Sequence, residues 1–189
     1  MTCRVAVFVD GANMFYAQKK VRFFIDYARI VELVKKDGIL YKPFFYIGST
    51  VPPEARAEKF LNYLIYRCGF TVREKKVKTI VEEDTGNIVK KCNLDIEIAI
   101  DMFNTIDNYD LAYLFSGDGD FERVVELLRT RGKRIFVVAS RFMLARELAN
   151  AADQVLYLED IQEAICRTDR EPESPRGELC VPSSGPKSD

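Results

Sequence analysis

Four aspartates carry the chemistry open to this chain. Asp10 closes the apolar run at residues 5–9. Asp118 and Asp120 follow a second apolar run, residues 111–115, inside Ser116-Gly-Asp-Gly-Asp120. Asp95 stands at the start of a helical, apolar-rich stretch, residues 94–106. In an open α/β sheet, ligands sit beyond the carboxyl ends of the strands, where the strand order reverses. If the two apolar runs are neighbouring strands there, Asp10 and Asp118 converge and Asp95 can point to the same edge. Three or four carboxylates in one cleft repel one another unless a cation neutralises them. Hard oxygen ligands select Mg²⁺ or Mn²⁺. A site of that kind activates water and stabilises an in-line displacement at phosphorus. The chain has no His, so a Ser-His-Asp triad, a His base and His-ligated zinc are excluded.

Each acid also has a structural reading. Asp10 before Gly11 suits a turn or cap, Asp118 an Asx-turn, and Asp120 the N-cap of a helix over residues 121–131. Asp95 suits the first turn of a helix, where it complements the dipole. Against these stands the coincidence of three separate segments ending or starting in acid, with Gly117 and Gly119 flanking Asp118. Asp101 lies six residues after Asp95, a rotation of about 240° on a helix, so the two do not share a face. Set among apolar residues, Asp101 needs a partner or a metal.

Arg73, Lys75, Lys76, Lys78, Lys90 and Lys91 cluster just before Asp95, and Lys19, Lys20 and Arg22 follow Asn13. These two groups can draw a phosphate backbone across the acids, or serve as solvated edge-strand charges that block aggregation. Tyr16, Phe23 and Phe24 are candidates for stacking on unpaired bases or for the core. Exposed, Phe23 and Phe24 would suit the face of a homodimer.

The elements that must position these residues read as one domain, since 189 residues fall within the usual single-domain range. With 48% hydrophobic and 30% charged residues and a net charge of −1, the class is globular without a global basic field. Five scattered cysteines without a CxxC predict reduced thiols and a cytoplasmic location. The longest apolar run is far below the roughly 20 residues needed to span a bilayer. Strands are expected at residues 4–10, 40–47, 111–115, 134–139 and 155–158, the first and third buried on both faces. Helices are expected at 14–20, at 27–37 with Asp26 as N-cap and Gly38 as stop, and from Pro52-Pro53 to Gly69. Others are expected at 94–106, buried on most sides, at 121–131, from Ser140, and as a last turn from Asp160. Residues 70–82 alternate as a strand and return through the Asp84–Asn87 turn signal to a hairpin partner at 88–91. Alternating strands and helices predict a mostly parallel sheet covered on both faces. The domain is drawn at residues 1–166. Residues 167–189 hold four of the seven prolines and no periodic apolar face, and read as a disordered tail.

Three segments, FVDGANMF (8–15), KCNLDIEIAID (91–101) and SGDGDF (116–121), resemble the signature segments of NYN domains, PIN-like nucleases, in the LabA-like subgroup. They occur in the family's order, and the resemblance spans roughly residues 4–160. It implies a Rossmann-like three-layer α/β/α sandwich with a mostly parallel central sheet. It also implies a metal-dependent endoribonuclease, in which Asp10, Asp95, Asp118 and Asp120 bind Mg²⁺ or Mn²⁺ and cleave RNA phosphodiester bonds. By that likeness Asn13 orients a ligand or a metal-bound water, and Ser116 lines the pocket. Asp101 matches the second acid of the middle segment. Lys76, Lys78 and Lys91, from the basic group, are the expected RNA contacts. Where the family often has Gly after the motif Lys, this chain has Cys92-Asn93, which alters the approach to the helix. A noncatalytic RNA-binding or regulatory protein on the same fold is the alternative. A dehalogenase-like phosphatase would need a second acid where Ala12 stands.

Overall fold

The computed structural model describes residues 2–49, 55–76, 78–81 and 88–167, with 78–81 and 88–91 as backbone only. The first strand, β1 (Arg4–Asp10), is buried from Val5 onward. Its side chains alternate between two cores: Val5, Val7 and Val9 on one face, Ala6 and Phe8 on the other. A strand apolar at every position sits stably only in the middle of a sheet covered on both sides. That sheet has the order β3-β2-β1-β6-β7-β8, formed with β2 (Ile39–Ser49), β3 (Thr71–Lys76), β6 (Leu111–Phe115), β7 (Arg134–Ala139) and β8 (Gln154–Tyr157). All five neighbour pairings are parallel.

Two layers of helix cover the sheet. On one face lie α1 (Gly11–Val21), α2 (Tyr27–Val34), α3 (Ala55–Asn62) with its π-helical continuation Tyr63–Arg67, and α7 (Gln162–Ile165). They bury Met14, Ile30, Val34, Leu64 and Ile165 against it. On the other face α4 (Asp95–Asn104), α5 (Glu122–Thr130) and α6 (Arg146–Ala151) bury Ile98, Met102, Val125, Leu128 and Leu148. The architecture is therefore the expected α/β/α sandwich, built on a six-stranded all-parallel sheet. No helix among the described residues is long and apolar enough to cross a membrane.

Some expectations change. The alternating run at 70–82 divides. Thr71–Lys76 joins the edge of the parallel sheet beside β2, and only β4 (Lys78–Val81) pairs antiparallel with β5 (Ile88–Lys91) as the hairpin. The turn signal Asp84–Asn87 and the tail from residue 168 lie outside the described residues. The apolar helix at α4 is not buried on most sides: Ile96 is 67% and Ile100 51% exposed. An outer-layer helix touches the sheet along one stripe, so apolar content alone does not bury it. The helix expected from Ser140 begins at Arg146, because Ser140 is spent on a turn that accepts N–H groups from Phe142, Met143 and Leu144. Phe23 is 7% exposed and belongs to the core, so it is available neither for stacking nor for a dimer face.

Candidate metal centre

The strand order reverses between β1 and β6: β2 and β3 extend to one side, β7 and β8 to the other. In register Val9 lies opposite Phe115. The next residues out of the sheet, Asp10 and Ser116, therefore emerge together at its carboxyl edge. Their side chains meet. The Ser116 hydroxyl donates to Asp10 Oδ2 at 3.1 Å, and the Asn13 N–H donates to Asp10 Oδ1 at 3.0 Å. Asp10 thus caps α1 and also stands at the carboxyl edge of the sheet beside Ser116.

Hydrogen bonds run on from there. The Asp118 N–H donates to Ser116 Oγ at 3.2 Å, the Gly117 N–H to Asn13 Oδ1 at 3.1 Å, and the Asp120 N–H to Asp118 Oδ1 at 3.0 Å. Asp118 therefore does make the Asx-type turn, which opens the short 3₁₀ helix Gly119–Phe121 and lifts both acids out of the sheet. Asp120 does not cap α5, whose N-cap is Phe121. On the far wall, Asp95 opens α4, its N–H held by Asn93 Oδ1 at 2.9 Å. Lys75 on β3 fixes this approach by donating to Asn93 O at 2.9 Å and to Glu97 Oε1 at 2.6 Å.

Carboxylate oxygens of Asp95, Asp118 and Asp120 all lie within 4.8 Å of one another. Asp10 stands outside that trio, deeper in the protein at 9% exposure. Burial, with the Asp118 charge added, pushes Asp10 up to about 6 against the lowering hydrogen bonds from Asn13 and Ser116. Burial, then the charges of Asp10 and Asp118, likewise push Asp95 up to about 6. The centre is thus short of positive charge. Ligand atoms of an octahedral Mg²⁺ or Mn²⁺ lie roughly 3–4.2 Å apart at bond lengths near 2.1 Å. An all-oxygen trio within 4.8 Å fits such an ion with little adjustment.

Other expected residues fall elsewhere. Asp101 turns away from the trio: it accepts from Tyr46 Oη at 2.9 Å and from Arg73 Nε and Nη2 at 3.0 and 3.3 Å. Arg73 and Lys75 are thereby occupied as clamps on α4, at Asp101 and Glu97. Lys76 is exposed at the end of β3. Lys78 and Lys91 are opposite one another in the hairpin, and their side chains lie outside the described ones. Lys19 lies over the rings of Phe15 and Tyr16. The sequence reading missed Asn93 and Lys75 as the residues that set Asp95. The Asx spacing of Asn93 to Asp95 was the available signal.

Comparison with known proteins agrees with this layout. The NYN domain family profile matches residues 4–159. The chain is 45% identical over 170 residues to the low amplitude and bright protein LabA of Synechococcus elongatus, covering 88% of this chain and 90% of that one. A crystal structure of a protein of unknown function from Vibrio parahaemolyticus superposes with a TM-score of 0.71. It is 21% identical and covers 88% of this chain and 97% of that one, a likeness of fold.

Proposed function

This chain belongs to the NYN domain family, and from that premise we propose that it is a metal-dependent ribonuclease that hydrolyses RNA phosphodiester bonds internally. The observation that carries the reading is the approach of Asp95, Asp118 and Asp120 to within 4.8 Å of one another at the sheet's switch point. Bound Mg²⁺ or Mn²⁺ would supply charge neutralisation, activation of water and stabilisation of the phosphorane-like transition state. The chain's own residues do the rest. Asp95, Asp118 and Asp120 present the oxygen donors from two walls. Asp10, desolvated beneath them, adds a negative charge that favours cation binding. Ser116 and Asn13 hold Asp10 and the Asp118 loop in one arrangement. Residues 1–166 are the unit to which we assign this activity. The free thiols at Cys3 and Cys166 fit work in the reducing cytoplasm.

The test is cleavage of an oligoribonucleotide by the purified full chain with Mn²⁺ or Mg²⁺, against Asp10→Asn and Asp118→Asn. Both variants are expected to lose activity, Asp118→Asn by about 100-fold or more. Equal activity in all three, or RNA binding without turnover in the wild type, rejects hydrolysis here.

A further inference from the structure

We propose that the loop at residues 140–146 is the strand-binding platform of the acid site, with Phe142 stacking an unpaired base and Arg146 meeting an adjacent phosphate of single-stranded RNA. This rests on the ribonuclease reading and names the form of its substrate.

The loop is joined to the acids. The Ala145 N–H donates to Gly117 O at 2.9 Å. A Cβ on Gly117 would lie 2.4 Å from Met143 O, and one on Gly119 would lie 3.2 Å from Ala145 Cβ. Phe142 is therefore next in chain to a residue in contact with the turn that bears Asp118. Its ring is 73% exposed, yet its backbone is tightly held. The Phe142 N–H donates to Ser140 Oγ at 3.2 Å, and that hydroxyl donates to Glu159 Oε1 at 2.8 Å. The Arg141 N–H donates to the same carboxylate, and the Arg141 guanidinium pairs with Asp160 and lies 3.9 Å from the Tyr157 ring centroid.

A bulky apolar ring is thus displayed to water on a rigid turn beside a cleft suited to a phosphodiester. Aromatic faces in such positions stack bases without regard to their identity. Bases in a duplex are already stacked and cannot reach the ring, so the geometry favours an unpaired strand. Arg146 supplies the charge. It is exposed, and among the described residues it forms no ion pair.

The chain contains no Trp and nine Tyr, so Phe142→Trp introduces a single tryptophan at the platform, excited selectively at wavelengths where tyrosine does not absorb. Oligouridylate, in Ca²⁺ to slow turnover, is expected to quench it with the same midpoint that anisotropy of labelled oligouridylate gives. Phe142→Ala is expected to weaken single-stranded binding about tenfold, with Phe142→Tyr restoring it. Both variants should keep the wild-type melting temperature and duplex affinity. Arg146→Ala should flatten the slope of log affinity against log salt by about 0.7. If the wild type cleaves RNA while the tryptophan stays unquenched and Phe142→Ala binds as wild type, the platform is wrong and the ribonuclease reading stands. If the wild type neither binds nor cleaves RNA, both fall.

Discussion

Asp10 and Ser116, 106 positions apart in the chain, are joined by a 3.1 Å hydrogen bond at the carboxyl edge of adjacent strands. The same Ser116 oxygen accepts the Asp118 N–H at 3.2 Å. One hydroxyl therefore ties the buried carboxylate of β1 to the acid-bearing turn after β6. Ser116→Ala removes both bonds and leaves a buried carboxylate less satisfied, a loss of about 1–3 kcal/mol. The expected result is a lower melting temperature, together with Mn²⁺ affinity weakened about 10- to 100-fold, as for other residues that orient metal ligands. Calorimetric titration and thermal melting measure the two separately.

The acids of the centre set a pH dependence whose sign is fixed by their raised values. Asp10 and Asp95 both lie at about 6 against an ordinary 3.8. Between those limits the folded protein keeps protons that the unfolded chain releases, so stability without metal falls as pH rises through the window and stays lower above it. For Asp10 alone the loss is on the order of 3 kcal/mol. Asp110, held down to about 2 by Arg4, titrates below this window and does not mask it. Metal-free protein should therefore melt higher near pH 5 than near pH 7.5. Mn²⁺ should raise the melting temperature near pH 7.5 and do less near pH 5, where Asp95 holds a proton that the ion must displace. Melting curves with and without the ion at the two pH values decide it.

Much of this was legible in the sequence because the informative signals were local. Apolar runs without alternation marked the central strands β1 and β6, and their terminal acids marked the sheet edge. The Asp26 cap and the Gly38 stop bounded α2 and its last turn. The division of residues 70–82 between two sheets was not legible, because alternation says that a strand forms and not which partner it takes. Nor was the exposure of Ile96 and Ile100, which depends on how much of α4 faces the sheet. The pairing of Arg73 and Lys75 was hidden for the same reason: both find acids on α4, a tertiary contact that no spacing within 73–78 announces. Asp10 read as a turn or cap residue as well as a site acid; it caps α1 and stands at the sheet edge beside Ser116.

Gly117 is required for its lack of a side chain and not for an unusual backbone angle. Its Cβ position falls 2.4 Å from Met143 O and 2.9 Å from the carbonyl carbon, both backbone atoms. Gly117→Ala must push the 140–146 loop away from the acid turn and strain the Ala145–Gly117 hydrogen bond. The expected cost is about 1–3 kcal/mol of stability, the usual range for forcing an extra group into a packed site. RNA affinity should fall with it. Gly119→Ala meets only the Ala145 methyl at 3.2 Å and should be milder on both counts, so melting and anisotropy on the pair test the steric argument.

Asp101 separates likeness of motif from role. It matches the second acid of the middle signature segment, yet its carboxylate faces Tyr46 and Arg73 and not the trio of Asp95, Asp118 and Asp120. Tyr46 is fully buried, and its hydroxyl would lose its acceptor in Asp101→Ala. An unpaired buried hydroxyl costs about 1–3 kcal/mol, and Arg73 would lose the partner that holds α4 to β3. The variant should melt several degrees lower. Its Mn²⁺ affinity, measured well below that melting point, should stay within about threefold of wild type, because no metal ligand or its hydrogen-bonding partner is touched. Asp101→Asn keeps an acceptor for Tyr46 and should recover part of the lost stability. A collapse of Mn²⁺ binding in Asp101→Asn, with the melting temperature preserved, would instead move Asp101 into the metal centre.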